Sequence, residues 1–413
     1  MTTVTNWRAR LGAAKLRPLT QEVLDTTYEE RTTTTERARF DKIVAAGESV
    51  WRARHHRSSS NSEPDVAATP NSSSLNANAF ESPTDVIRRM RHLDGYSVED
   101  SVVEVVELAL ADILGRYELE GPVRLAPEVQ VLRREVDALI ANCRQPAQLQ
   151  RLYRIAGQLA GALSYMAVNR GEFRYAHIYG QESLSIATFL RDTELQAWVK
   201  GTQSFCAYYK KDYPAAVTFA EEGIRLAGDN SQSIRLYANG LARALGKLGD
   251  VTGVERAVDA AISLAASVET PSGLSPALTF APYSEARLMA NAATAYLSAR
   301  EYRRTLEYGQ LVEDQVNESD SVWSRSLVRL DVATALVRQP SSDVDHAMDL
   351  GVEALSASKD RPIRSVWQRA HELADSVTST VNTRKVRDYV DELRSWSTHA
   401  EPVAAPEINA RAR

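Results

Sequence analysis

Small side chains recur along this sequence in short ladders, and the ladders themselves repeat. Ala176, Gly180 and Ser183 form the first, and Ala216, Ala220 and Gly223 the second. Later ladders start at Ala257, Thr305 and Ala347, so successive starts lie 40, 41, 48 and 42 residues apart. Residues spaced by four and three share one face of a helix, and small ones let a neighbouring helix approach closely. Ahead of each ladder sits a turn: Arg170-Gly171-Glu172-Phe173, Lys211-Asp212-Tyr213, Gly249-Asp250, Arg300-Glu301-Tyr302 and the longer Pro340-Ser341-Ser342. A helical hairpin of this kind cannot bury its apolar side alone. Repeated at such a period, it predicts an all-α array in which each hairpin covers the next. The 48-residue interval contains residues 268–284, VETPSGLSPALTFAPYS, whose Pro and Gly content excludes a helix.

The flanks read differently. Residues 1–56 form a helical segment that Thr20 caps ahead of Gln21-Glu22-Val23, with four threonines, weak helix formers, at 32–35 inside it. A helix-turn-helix would need a tight turn and a polar second helix here, and no Gly turn stands at the right distance. Residues 57–83 are Ser, Asn, Pro and Ala with little to bury, which reads as a disordered linker. Residues 84–147 are a helical lead-in. Ser97 caps a stripe through Val98, Val102, Val105, Val106, Ile113 and Leu114, Pro122 interrupts it, and Pro127 starts the next helix. The hairpins occupy 148–360, a less regular capping pair 361–396, and a flexible tail 397–413.

Net charge is −5 over 413 residues, but residues 1–57 carry eleven Lys/Arg against seven Asp/Glu, a net of +4. A basic front on an acidic body confines any direct DNA contact to that front. The two cysteines, Cys143 and Cys206, are too few for a disulfide framework or a zinc cluster. With neither a signal-peptide core nor a run of about 18 apolar residues, the expected location is cytoplasmic and no membrane partner is expected. The seven histidines share no metal-ligand spacing, and phosphate-loop, dinucleotide and nucleophile-elbow patterns are missing. The expectation is a protein without cofactor and without enzymatic activity.

Ala207-Tyr208-Tyr209-Lys210-Lys211-Asp212-Tyr213-Pro214-Ala215-Ala216 resembles the turn region of tetratricopeptide (TPR) repeats. Leu163 with Gly171-Glu172-Phe173 and Ala176, Leu241 with Gly249-Asp250, and Ala295-Tyr296 with Tyr302 match the same pattern, although these repeats exceed the usual ~34 residues. Residues 84–396 are similar, through VIRRMRHLDGYSVEDSVVEVVELALADILGRYELEGP and LAGALSYMAVNRGEFRYAHIYGQESLSIATFLRD, to the C-terminal sensor region of actinobacterial helix-turn-helix regulators. The resemblance implies a right-handed superhelical solenoid whose first helices line a groove. Transferred by turn position, the groove residues are Gln158, Tyr165 and Asn169, then Thr202 and Tyr209, then Asn239, Arg243 and Lys247, then Arg287. It also implies a regulatory protein that binds a peptide or partner protein in this groove and influences gene expression. DNA would be reached through residues 1–56 or indirectly, and a homodimer is compatible. The alternative is a TPR scaffold for protein–protein interaction that binds no DNA.

Overall fold

The computed structural model describes residues 81–94, 100–318, 321–377 and 383–399, all within the unit Asn78–Arg413. The expected N-terminal helical segment, residues 57–80 of the linker, the expected cap Ser97 and residues 400–413 of the tail lie outside them. Every regular element among the described residues is helical, with no strand and no helix long and apolar enough to cross a membrane.

Helix α1 (Pro83–Asp94) begins inside the stretch read as linker, because Ser82 accepts from the Asp85 amide and Pro83 supplies the first helical position. Helix α2 (Asp100–Asn142) is broken at Gly121, which takes the left-handed φ of 83°. The chain therefore restarts at Pro122, not at Pro127, and Pro127 rides within the new helix at the cost of one backbone hydrogen bond.

Four hairpins come next: α3 (Pro146–Asn169) with α4 (Phe173–Leu190), α5 (Thr193–Tyr209) with α6 (Tyr213–Ala227), α7 with α8 (Val251–Ala265), and α9 (Glu285–Ser298) with α10 (Tyr302–Leu311). Helix α7 runs through Gln232–Arg235, a π-helical stretch Leu236–Ala242, and Arg243–Leu248. Their turns share one geometry. Gly171, Lys211, Gly249 and Arg300 have φ between 65° and 79°. The next residue's amide reaches back five positions in each, from Glu172 to Ala167, Asp212 to Ala207, Asp250 to Leu245 and Glu301 to Tyr296, at 2.9–3.1 Å. Lys211 and Arg300 thus do what glycine does in the other two. Asp212 and Asp250 then cap the second helix through Ala215 and Gly253.

The ladders face these seams. Ala176, Ser183, Ala216, Ala220, Ala257, Thr305, Ala347 and Ala354 are buried. Ser164 donates to the Ala176 carbonyl at 2.7 Å, and Ser204 repeats the bond to Ala216 at 2.8 Å one hairpin later. Short α11 (Glu313–Glu318) leads to α12 (Val322–Arg338) and α13 (Val344–Ser358), and Ser326 donates across their seam to Ala354 at 2.8 Å. Helices α14 (Arg364–Val377) and α15 (Arg384–His399) close that end, with Tyr389 and Trp396 fully buried. Helix α15 thereby takes in the first residues of the expected tail.

The segment between α8 and α9 is non-helical, and it is part of the core. Leu278 and Tyr283 are buried, Phe280 packs 4.4 Å from Trp198, and Trp198 Nε1 donates to the Thr279 carbonyl at 2.6 Å.

Candidate functional site

The inner faces of α3, α5, α7, α9, α12 and α14 converge on one cavity of about 70 Å³. Of the sequence-predicted groove residues, Tyr165, Asn169, Tyr209, Asn239, Arg243 and Arg287 line it. All six are buried. Tyr165 stacks on Phe205 at 4.9 Å with the rings 4° from parallel, and Asn169 donates to the Tyr117 hydroxyl at 2.7 Å. Arg243 donates to Asn239 and, at 3.0 Å, to the Tyr209 hydroxyl, and its guanidinium lies 4.4 Å over the Tyr208 ring. Arg287 donates to the Ser275 carbonyl at 2.7 Å, to Ser324 at 2.8 Å and to Glu118 at 3.2 Å.

The remaining three predicted residues do not reach it. Gln158 is half-buried on α3 outside the cavity lining. Thr202 is buried under the next hairpin, accepting from Arg235 at 3.0 Å. Lys247 turns to α14 and pairs with Glu372 at 3.0 Å. Of Asn239, Arg243 and Lys247, expected on one face, the first two line the cavity and Lys247 lies outside its lining. Lys247 stands one regular turn beyond Arg243, where its amine is drawn to the Glu372 carboxylate of α14.

Residues outside the predicted groove set complete the lining. Tyr117 and Glu118 come from α2, Ala277 and Tyr283 from the α8–α9 segment, and Trp323 and Arg369 from the later helices. Glu118 accepts from the Ala277 amide at 2.6 Å as well as from Arg287, and so ties α2 to the segment. Behind the lining, Asp331 accepts from Thr294 at 2.6 Å and pairs with Arg369 at 3.1 Å. Burial pushes its carboxyl above the ordinary range, against the pull of Arg369 and Thr294. A lone acid amid the apolar run of α12 was the one sequence signal for this network. For Glu372, burial acts upward but Lys247, with Gln368, outweighs it and holds the carboxyl below its ordinary value. Burial raises the Cys206 thiol to about 11, which makes it a packing residue and a poor nucleophile.

The cavity is small beside the 300–1,000 Å³, roughly, of a ligand pocket. A groove open along its length, as the TPR resemblance implies, would leave these side chains solvated. Here α2 and the α8–α9 segment cover them. No protein-family model matches the chain, and no curated protein is similar to it.

Proposed function

We propose that the chain is a regulatory binding protein of TPR-like repeats, whose inner face recognises a peptide or partner protein and through it influences gene expression. The observation behind this reading is the convergence of amide, guanidinium and phenol groups from separate hairpins on one cavity. Such groups orient a bound partner by hydrogen bonds while the rings give contact area. At about 70 Å³ the cavity has no room for a peptide. Recognition therefore requires the α8–α9 segment to withdraw, with loss of the Trp198–Thr279 and Glu118–Ala277 bonds. Contact with DNA, in this reading, runs through residues 1–56 or through the partner.

A second reading, a scaffold that uses its outer surfaces, draws on the small inner volume. Larger hollows of about 400 Å³ between α1 and α2 and about 360 Å³ among α10 to α13 suit it. A photo-cross-linking residue placed at Asn291, on the cavity, and another at Tyr175, 54% exposed on α4, separate the two in living cells. The groove reading expects adducts from Asn291 that vanish with Arg243→Glu. Adducts from Tyr175 alone would replace it with the scaffold. Salt-dependent gel shifts of the full chain test whether DNA is bound directly.

A further inference from the structure

The connection between α8 and α9 differs from those between the earlier hairpins. Between α4 and α5 and between α6 and α7 the chain bonds back to helix backbone, Asp192 to Ala187 and Gly228 to Ile224, each at 2.9 Å. Residues 268–283 make no backbone–backbone hydrogen bond among the described residues. They also carry no regular secondary structure, and connections beyond about 12–15 residues of that kind are usually functional. Side chains hold the main chain instead. Arg287 of α9 donates to the Ser275 carbonyl at 2.7 Å, and Glu118 of α2 accepts from the Ala277 amide at 2.6 Å. Trp198 of α5 donates to the Thr279 carbonyl at 2.6 Å, and Gln232 of α7 to the Phe280 carbonyl at 2.8 Å.

Two side chains of the segment are set among these anchors. Leu278 is wholly buried, and the Phe280 ring lies 4.4 Å from that of Trp198. The chain that leads in is open: Pro271, Ser272 and Gly273 are exposed, and a methyl added to Gly273 would meet nothing within 4 Å. A protein holds a separate peptide in the same manner. Bonds to the main chain give affinity, and places for selected side chains give specificity.

We infer that residues 275–280 occupy the inner face as an internal pseudo-ligand, and that the partner displacing them presents a free segment of the same chemistry: an apolar side chain with an aromatic one two positions on, as in Leu278-Thr279-Phe280. The inference deepens the partner-recognition reading and rests on it. Once released, Arg287, Glu118, Trp198 and Gln232 bind the main chain of the incoming segment as they bind Ser275, Ala277, Thr279 and Phe280. Bonds to main-chain groups leave the other positions of that segment free to vary. The pseudo-ligand is tethered at both ends and so competes at an effective concentration of about millimolar. Only a partner that binds the open face well displaces it.

A labelled peptide with the sequence of residues 274–282, LSPALTFAP, titrated into the full chain and followed by fluorescence anisotropy, tests the inference. The expected result is weak binding to the parent and about tenfold tighter binding to Phe280→Ala, whose own segment competes less. A peptide with Ala in place of its Leu and Phe should bind about tenfold more weakly than the unaltered one. Hydrogen exchange of the parent covers the case of a Phe280→Ala chain that fails to fold. Peptide at about millimolar concentration should speed exchange at 275–281 while α5 and α9 keep their protection. A folded Phe280→Ala chain that binds the peptide no better than the parent, or exchange that the peptide leaves unaltered, would overturn the proposal. Cross-linking at Asn291 reports on the cellular partner without this peptide. Adducts there with no displacement here would remove the pseudo-ligand and leave partner recognition standing.

Discussion

Two sets of helix faces are buried in this molecule, and they are buried for different reasons. The ladder faces of α4, α6, α8 and α13 carry Ala, Gly and Ser because the helix across the seam leaves no more space. A methyl on Gly223 would meet Leu236 at 2.5 Å, and one on Gly351 would meet the Tyr389 ring at 2.7 Å. The inner faces of the first helices carry Tyr, Asn and Arg and are buried because other segments lie over them. The first face is limited by volume and the second by charge and hydrogen bonding. One fails when it is overfilled, the other when a partner is lost.

That difference can be measured, beginning with charge. Asp331→Ala leaves Arg369 without its counterion in the interior and should cost about 4 kcal/mol in urea unfolding. Replacing the pair together, Asp331→Leu with Arg369→Met, should recover most of that loss, because the cost came from the stranded charge. Gly351→Leu on a ladder should cost about 3 kcal/mol by overpacking against Tyr389 and Leu373. Full recovery from a charge-removing second change there would contradict the volume account.

Smaller effects sharpen the same contrast. The Lys247–Glu372 pair is half-buried, and a double-mutant cycle should give about 1 kcal/mol. Glu372 is held below its ordinary pKa of 4.5 in the folded chain. Its stabilising share should therefore be complete above that pH and fade as pH falls below it, with Glu372→Gln removing the dependence. Smallest and opposite in sign is Gly115→Ala on the exposed side of α2, where an added methyl meets nothing within 4 Å. Helix propensity alone should raise stability there by about 0.8 kcal/mol.

The ladders were legible in the sequence because close approach dictates residue identity, and Ala176, Ala216 and Ala347 announce their seams directly. The turns were legible only in part. Lys211 and Arg300 take a left-handed conformation that glycine would have signalled, and the backbone bonds around them hold it in place. Six inner-face residues could be placed by their offset from the turns. Their burial could not, because reading residues 268–284 as non-helical says nothing of where that segment goes. The pairing of Lys247 also escaped, since its partner Glu372 lies 125 positions away on α14. Thr202 was misplaced because its partner, Arg235, belongs to a different hairpin.

The contact between Glu118 and Ala277 spans 159 positions in the chain, and that between Glu118 and Arg287 spans 169. Stacks whose units touch only their neighbours can grow from any starting hairpin, and shortened versions keep most of their order. Here α2 and the middle segment must find each other across every helix from α3 to α8, so loop closure precedes the reward of those bonds. Folding should then be slower than a nearest-neighbour stack of this length, and the last steps should arrive together. Chains cut after Ala265 should lose cooperativity in denaturant, with a shallower transition than their size implies.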